Sequence, residues 1–187
     1  MERYVAFLRG MNLGGRRIKN DDLRAEFERL GFAGVATFRA SGNVIFGSDG
    51  GEGEGRLGKR VEAGLGEALG YEVLVFLRSQ AEVVAIAAQE PFDAKLVEAS
   101  KGRLQVLLVG EKPAAAARRK VLALASDEDR LALAGRELFW LPSGGTIGSD
   151  LDLKAIDAAL GKGTMRTKGT IDQIAAKLEA LAGPRPR

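Results

Sequence analysis

The chain has no cysteine and no histidine among its 187 residues. Without cysteine there is no disulfide framework, no thiolate metal ligand and no thiol nucleophile. Without histidine it lacks the usual neutral-pH base and the commonest zinc ligand. Any catalysis would rest on carboxylates, Lys, Arg, Tyr or hydroxyls, and neither a metal site nor a cofactor is expected. Aromatic residues make up only 6% of the chain, so Leu, Val, Ile and Ala must build most of the core. No apolar run approaches the length of a membrane span. The opening apolar run, residues 4–8, is too short and interrupted for a signal-peptide core. A cytoplasmic location is therefore expected. The net charge of +3 permits an anionic partner without requiring one.

What is present reads as alternating strands and helices. Residues 3–9 form a buried strand, followed by a loop with Gly10, Gly14 and Gly15. Asn20 is placed to cap a helix carrying Asp21 and Asp22 in its first turn, with Leu23, Phe27 and Leu30 on one face and Gly31 at its end. Residues 34–40 form a second strand, Ser41-Gly42-Asn43 a hairpin turn, and Val44 opens the returning strand. Residues 47–58 read as a flexible polar loop, with residues 48–56 dispensable. A helix with Leu57, Val61, Leu65 and Leu69, then a strand over 72–77, complete a βαββαβ order, the ferredoxin-like pattern.

Ser79 and Glu82 make a capping box that opens a connector helix. Beyond it the pattern partly repeats, with strands at 104–109, 130–134 and 136–141, helices at 114–125 and 151–160, and an extended piece near 164–168. A second capping box, Thr170 to Gln173, starts the last helix. The expected fold is α+β. It comprises two ferredoxin-like modules with antiparallel sheets, a connector helix and a C-terminal helix, divided as 1–78, 79–102 and 103–187.

In a ferredoxin-like sheet of order 4-1-3-2, the loop leaving strand one and the hairpin joining strands two and three emerge at the same edge. The start of the first helix lies there too, with its backbone N–H groups and positive dipole. That edge collects Arg9, Asn12, Arg16, Arg17 and Lys19 from one loop and Ser41 and Asn43 from the other. No acid stands between residues 9 and 19. Glycines allow close backbone approach and basic neighbours suit an anion. The plainer reading is that the glycines and Ser41-Gly42-Asn43 only make turns and the cations are solvated surface. GMNLGG is neither a phosphate loop, which needs a Gly-Lys-Ser/Thr ending, nor a dinucleotide fingerprint.

The same residues carry a resemblance. The run Leu8, Arg9, Gly10, Met11, Asn12, Leu13, Gly14, Gly15, with Ser41, Gly42, Asn43 and Val44, resembles the hallmarks of domain-of-unknown-function family 1697. That family's C-terminal Thr-x-Arg-Asn-x-x-Thr segment is matched in part by Thr164, Arg166 and Thr170. Here Thr167 stands for its Asn, Lys168 for the usual aromatic, and Ala40 for a frequent Gln before the hairpin. The resemblance implies two ferredoxin-like parts and no particular activity. It favours the N-terminal edge as a site, since two distant hallmarks converge there.

Three functions remain in view. The first is a binding module for a small anionic or phosphorylated ligand, with Arg166 in the basic loop 162–168 as a second contact. The second is an enzyme using the same edge, and the third a structural or homo-oligomeric protein. RNA recognition by stacking is disfavoured because Ser41 and Asn43 stand where third-strand aromatics belong. Electrostatic nucleic-acid binding is open but modest. The run Arg118, Arg119, Lys120 reads as a solvated face, and Asp127, Glu128 and Asp129 as a turn.

Overall fold

The computed structural model describes residues 1–11, 18–39 and 42–182, and of residue 182 only the backbone. The chain forms two compact units. Residues 1–84 with 174–187 make the first, and residues 85–173 the second. The sequence-based division follows the order of strands and helices, whereas these units follow proximity.

The first unit holds β1 (Glu2–Arg9), α1 (Asn20–Arg29), β2 (Ala33–Thr37), β3 (Asn43–Ser48), α2 (Glu54–Leu69) and β4 (Leu74–Ser79). Its sheet order is β2-β3-β1-β4, all neighbours antiparallel. β1 and β3 pair from Glu2 with Ser48 to Phe7 with Asn43. Alternation along β1 divides its residues between two faces. Tyr4, Ala6 and Leu8 join a core with Leu23 and Phe27 of α1 and Leu57, Val61 and Leu65 of α2. At its centre Phe46 lies 4.5 Å from Phe32, 5.3 Å from Phe27 and 6.0 Å from Tyr4, ring centre to centre. Val5 and Phe7, on the other face, are also fully buried.

α3 (Gln80–Ala87), α4 (Ala94–Ala99) and the second sheet follow. That sheet comprises β5 (Gln105–Val109), β6 (Asp129–Ala134), β7 (Glu137–Pro142) and β8 (Gly163–Thr167), in order β6-β7-β5-β8. α5 (Ala115–Leu122) and α6 (Leu153–Leu160) supply Val121 and Ile156 to a core with Leu107, Val109 and Leu138. α7 (Lys168–Ala182) starts in the second unit, and from Ile174 onward belongs to the first. There the Arg3 guanidinium donates to the Leu181 carbonyl at 2.9 Å.

The α+β class, both antiparallel sheets and the βαββαβ order agree with the sequence reading. Four local expectations need correction. α2 takes in residues 54–58 of the expected loop: Leu57 is buried in line with Val61 and Leu65, as the helical stripe required, and the helix starts three residues before it. The preceding segment is tied down too, with Glu52 paired to Arg60 at 3.2 Å. Residues 48–56 are therefore not a simple dispensable loop. Asn20 is the first helical residue of α1 and Lys19 occupies the cap position, with no side-chain capping bond. α7 begins two residues before Thr170, whose N–H is capped by Thr167 Oγ1 at 3.2 Å. α4 had no sequence counterpart; Asp93 caps it by accepting from the Lys95 N–H. The Ser79–Glu82 box closes as expected, with the Glu82 carboxylate accepting from Ser79 N–H at 2.8 Å and Ser79 Oγ from Glu82 N–H at 3.3 Å.

Tyr4 gives the fold a pH signature. Burial, then its bond to the Glu2 carboxylate, pushes its hydroxyl from 10.0 up to about 12. The folded state therefore holds this proton more tightly than the unfolded chain. Its contribution is full below pH 10 and disappears as pH rises through about 12. Melting curves of wild type and Tyr4→Phe across pH 9 to 12 should show a steeper fall for wild type over the upper part of the range. Parallel curves would mean that this tyrosine titrates alike in both states.

Candidate functional site

The end of β1 and the start of β3 meet as the topology requires. Leu8 N–H donates to the Gly42 carbonyl at 2.8 Å. Gly42 has φ +67°, and a Cβ there would lie 3.1 Å from Leu8 Cβ and 3.3 Å from Met11 Cγ. Two hallmark motifs about thirty residues apart in the chain are thus in direct contact. A third segment joins them. Gly10, at φ +94°, would bring a Cβ within 3.3 Å of the Glu72 carbonyl, and the Tyr71 hydroxyl donates to the Met11 carbonyl at 3.4 Å. β4 runs antiparallel to β1, so the turn before β4 belongs to this edge by topology. The sequence reading passed over it.

Arg9 is the last residue of β1, half-buried and opposite Leu74 of β4. Lys19 is exposed at the cap of α1. Asn12, Arg16, Arg17 and Ser41 lie outside the described residues. Asn43 is fully buried, and its amide donates to the Phe38 carbonyl at 3.1 Å while Phe38 N–H donates to the Asn43 carbonyl. Its amide thus helps close the hairpin, which the expectation of a ligand-facing amide did not anticipate. Arg166 belongs to the second unit. There its guanidinium donates to Thr164 Oγ1 and to the Met165 carbonyl, both at 2.8 Å. Burial lowers its pKa to about 10, so it is charged at neutral pH.

Two further residues mark the hairpin. Arg39 has φ +56°, the one positive φ at a non-glycine residue among those described. That conformation costs about 1–2 kcal/mol for a residue with a Cβ. Its guanidinium lies 5.9 Å from the centre of the Phe38 ring, and the ammonium of Lys177 on α7 lies 5.8 Å from it. No sequence signal marks an arginine for left-handed backbone, and Lys177 reaches the hairpin only through the return of α7.

The second unit repeats this plan with a different filling. Val109 N–H donates to the Arg136 carbonyl at 3.0 Å, as Leu8 does to Gly42. There Arg136 Nη1 donates to the Gly110 carbonyl at 3.2 Å, and the buried Glu137 accepts from Arg136 N–H at 3.1 Å. The second unit closes its corner with its own charged side chains.

Other candidates resolve into structure. Asp129 is buried and accepts from Trp140 Nε1 at 2.7 Å and from Ser149 Oγ at 2.8 Å. Glu128 accepts from Ser143 Oγ, and Asp127 pairs with Arg130 at 3.3 Å. Arg118 is held by the Leu133 carbonyl at 3.0 Å, while Arg119 and Lys120 are exposed. A groove of about 520 Å³ includes Ile18, Asp22, Glu26, Leu69 and Tyr71 in its lining, and its two acids make it a poor anion site.

The model of a family described as "Protein of unknown function (DUF1697)" matches residues 1–139. The chain belongs to this family. The match contains the edge just described and stops before the segment from Thr164 to Thr170. No curated protein matches the chain. Among solved structures, the conserved bacterial protein SP0830 from Streptococcus pneumoniae has a similar fold, with a TM-score of 0.72 at 21% identity. The likeness covers 96% of this chain and 99% of that one. At this identity it shows the fold alone.

Proposed function

We propose that this member of the family is a binding module for a small anionic or phosphorylated ligand, held at the edge where the 9–19 loop meets the 41–43 hairpin. The observation that carries the reading is the packing of Gly42 on Leu8 and Met11, which joins two separate hallmark motifs beside Arg9. Arg9 and Lys19 supply charge. Asn12, Arg16, Arg17 and Ser41 are assigned to the same site from the sequence. A cytoplasmic setting is part of the proposal and suits a chain without cysteine. Among the described residues, no helix is long and apolar enough to cross a membrane.

A structural or homo-oligomeric role would call for an exposed apolar sheet face. Val5, Phe7, Ile45 and Phe76 lie opposite the helix-covered face of the first sheet, and all are buried. Among the described residues, Tyr4, Phe7, Phe46 and Phe76 on the strands of this sheet are all buried, so none of them is open for stacking bases.

The test is a thermal-shift screen of nucleotides, phosphosugars, acidic metabolites and oligonucleotides, repeated on Arg9→Ala. The variant should keep its stability to within about 1 kcal/mol and bind the best anion more weakly by about 1.5–3 kcal/mol, the usual worth of a charge-assisted hydrogen bond. Equal ligand-induced shifts in wild type and variant would return this edge to simple turn chemistry.

A further inference from the structure

We infer that the outer edge of β6 is a docking site for a short extended peptide carrying an apolar side chain and a neighbouring lysine or arginine. The site belongs to the second unit and uses no residue of the anion-binding edge. Either reading can fail without the other.

The first support is a gap in the backbone pairing. β6 is the outermost strand of its sheet, and its inner side pairs with β7. Two of its carbonyls are taken from the outer side. Asp129 C=O accepts from Ser126 N–H at 3.0 Å, and Leu133 C=O accepts from the Arg118 guanidinium at 3.0 Å. Backbone groups of a strand point the same way at every second residue, so the N–H and C=O of Leu131 face outward as well. Neither has a partner among the described residues. An unpaired strand edge is a template for another extended chain. Here Ser126 and Arg118 close the edge on either side of Leu131. The opening suits a short segment better than the β6 of a second copy, which would need a longer run of free groups.

A groove supplies the second support. It holds about 610 Å³ and is lined by Ser126, Leu131, Phe92 and Leu96, among others. Because Ser126 bonds to β6 from outside the sheet, the groove runs along that outer side. Leu96 is 39% exposed on α4, a helix with no buried residue. An apolar side chain laid beside the edge would cover Leu96 and Phe92 and remove their surface from water.

Charge selects the partner. The lining includes two carboxylates, Asp93 and Asp127, and one guanidinium, Arg130. Arg130 pairs with Asp127 at 3.3 Å. Asp93 accepts from the Lys95 N–H and has no ion pair among the described residues. Its charge is open to a cation of the incoming segment, which the apolar side chain beside it would position.

The experiment titrates the full isotope-labelled chain with the blocked peptide acetyl-Gly-Lys-Leu-Lys-Gly-amide at fixed salt, and follows backbone amide signals by NMR. The Leu131 amide should shift, together with signals from residues 91–96 and 125–130. N-methylation of the peptide's leucine removes its N–H and should weaken binding about three- to tenfold, the worth of one hydrogen bond. Asp93→Asn retains a capping side chain and removes the charge, so it should weaken binding about two- to fivefold. Leu96→Ser should leave the melting temperature close to wild type and weaken binding by a similar factor. The same peptide with glutamine for lysine should bind wild type and Asp93→Asn alike. Absence of shifts in these residues with the lysine peptide overturns the inference. Equal binding of the N-methylated peptide rules out strand addition, and equal binding of the glutamine peptide to wild type rules out the cationic partner. Shifts that grow with protein concentration alone, alongside a dimer in sedimentation, would give the groove to a second copy and overturn the peptide reading.

Discussion

Phe46→Ala should lower the stability of the protein by about 3–5 kcal/mol, the range for removing a large aromatic from a core. Phe46 has no exposed surface and sits among Tyr4, Phe27 and Phe32, with ring centres 4.5 to 6.0 Å away. Those partners come from β1, from α1 and from the turn after α1. One truncation therefore opens a cavity where the sheet meets its first helix. Packed interiors relax only partly around such a void. Denaturant unfolding with a shared slope would measure the loss, and Phe46→Leu should recover much of it by refilling the volume. A deficit under about 1 kcal/mol for Phe46→Ala would mean that the core collapses around the gap.

Gly42→Ala should cost about 2–4 kcal/mol, summing a left-handed backbone penalty and crowding. A Cβ there would lie 3.1 Å from Leu8 Cβ and 3.3 Å from Met11 Cγ, so both neighbours must give by a few tenths of an ångström to admit it. Gly31 provides the internal comparison. It also has positive φ, at +83°, but an added Cβ would meet nothing within 4 Å. Gly31→Ala should therefore show only the backbone part, about 1–2 kcal/mol. The difference between the two variants isolates the contact that holds the edge together. Equal losses would show that Leu8 and Met11 yield freely, and would weaken the case for a rigid site.

Much of this arrangement could be read in the chain, and the failures have physical causes. The βαββαβ order and the turn at Ser41-Gly42-Asn43 are enough to set the β1–β3 pairing. The segment 54–58 was misread because its glycines and acids favour loop locally. The stripe of Leu57, Val61 and Leu65 was legible, and its burial carries the helix back to Glu54 against that preference, since one face of α2 must cover the sheet. The cap at Thr167 was misplaced by three residues because Thr167 and Thr170 are equally able to cap. The difference lies in where β8 ends against β5.

The candidate site divides in the same way. The glycine that permits contact and the meeting of the β1 end with the hairpin at Gly42 follow from residue order and strand topology. Those are local properties and connectivity, which the sequence by itself determined, along with the fold class and the strand order of the first sheet. Only the tertiary structure decided that Asn43 turns its amide inward to Phe38, that Tyr71 reaches Met11, that Arg39 takes a left-handed backbone, and that Lys177 arrives beside it. Each of these depends on a partner distant in sequence or on a backbone angle imposed by a closed hairpin. Neither is encoded in the local spacing of residues.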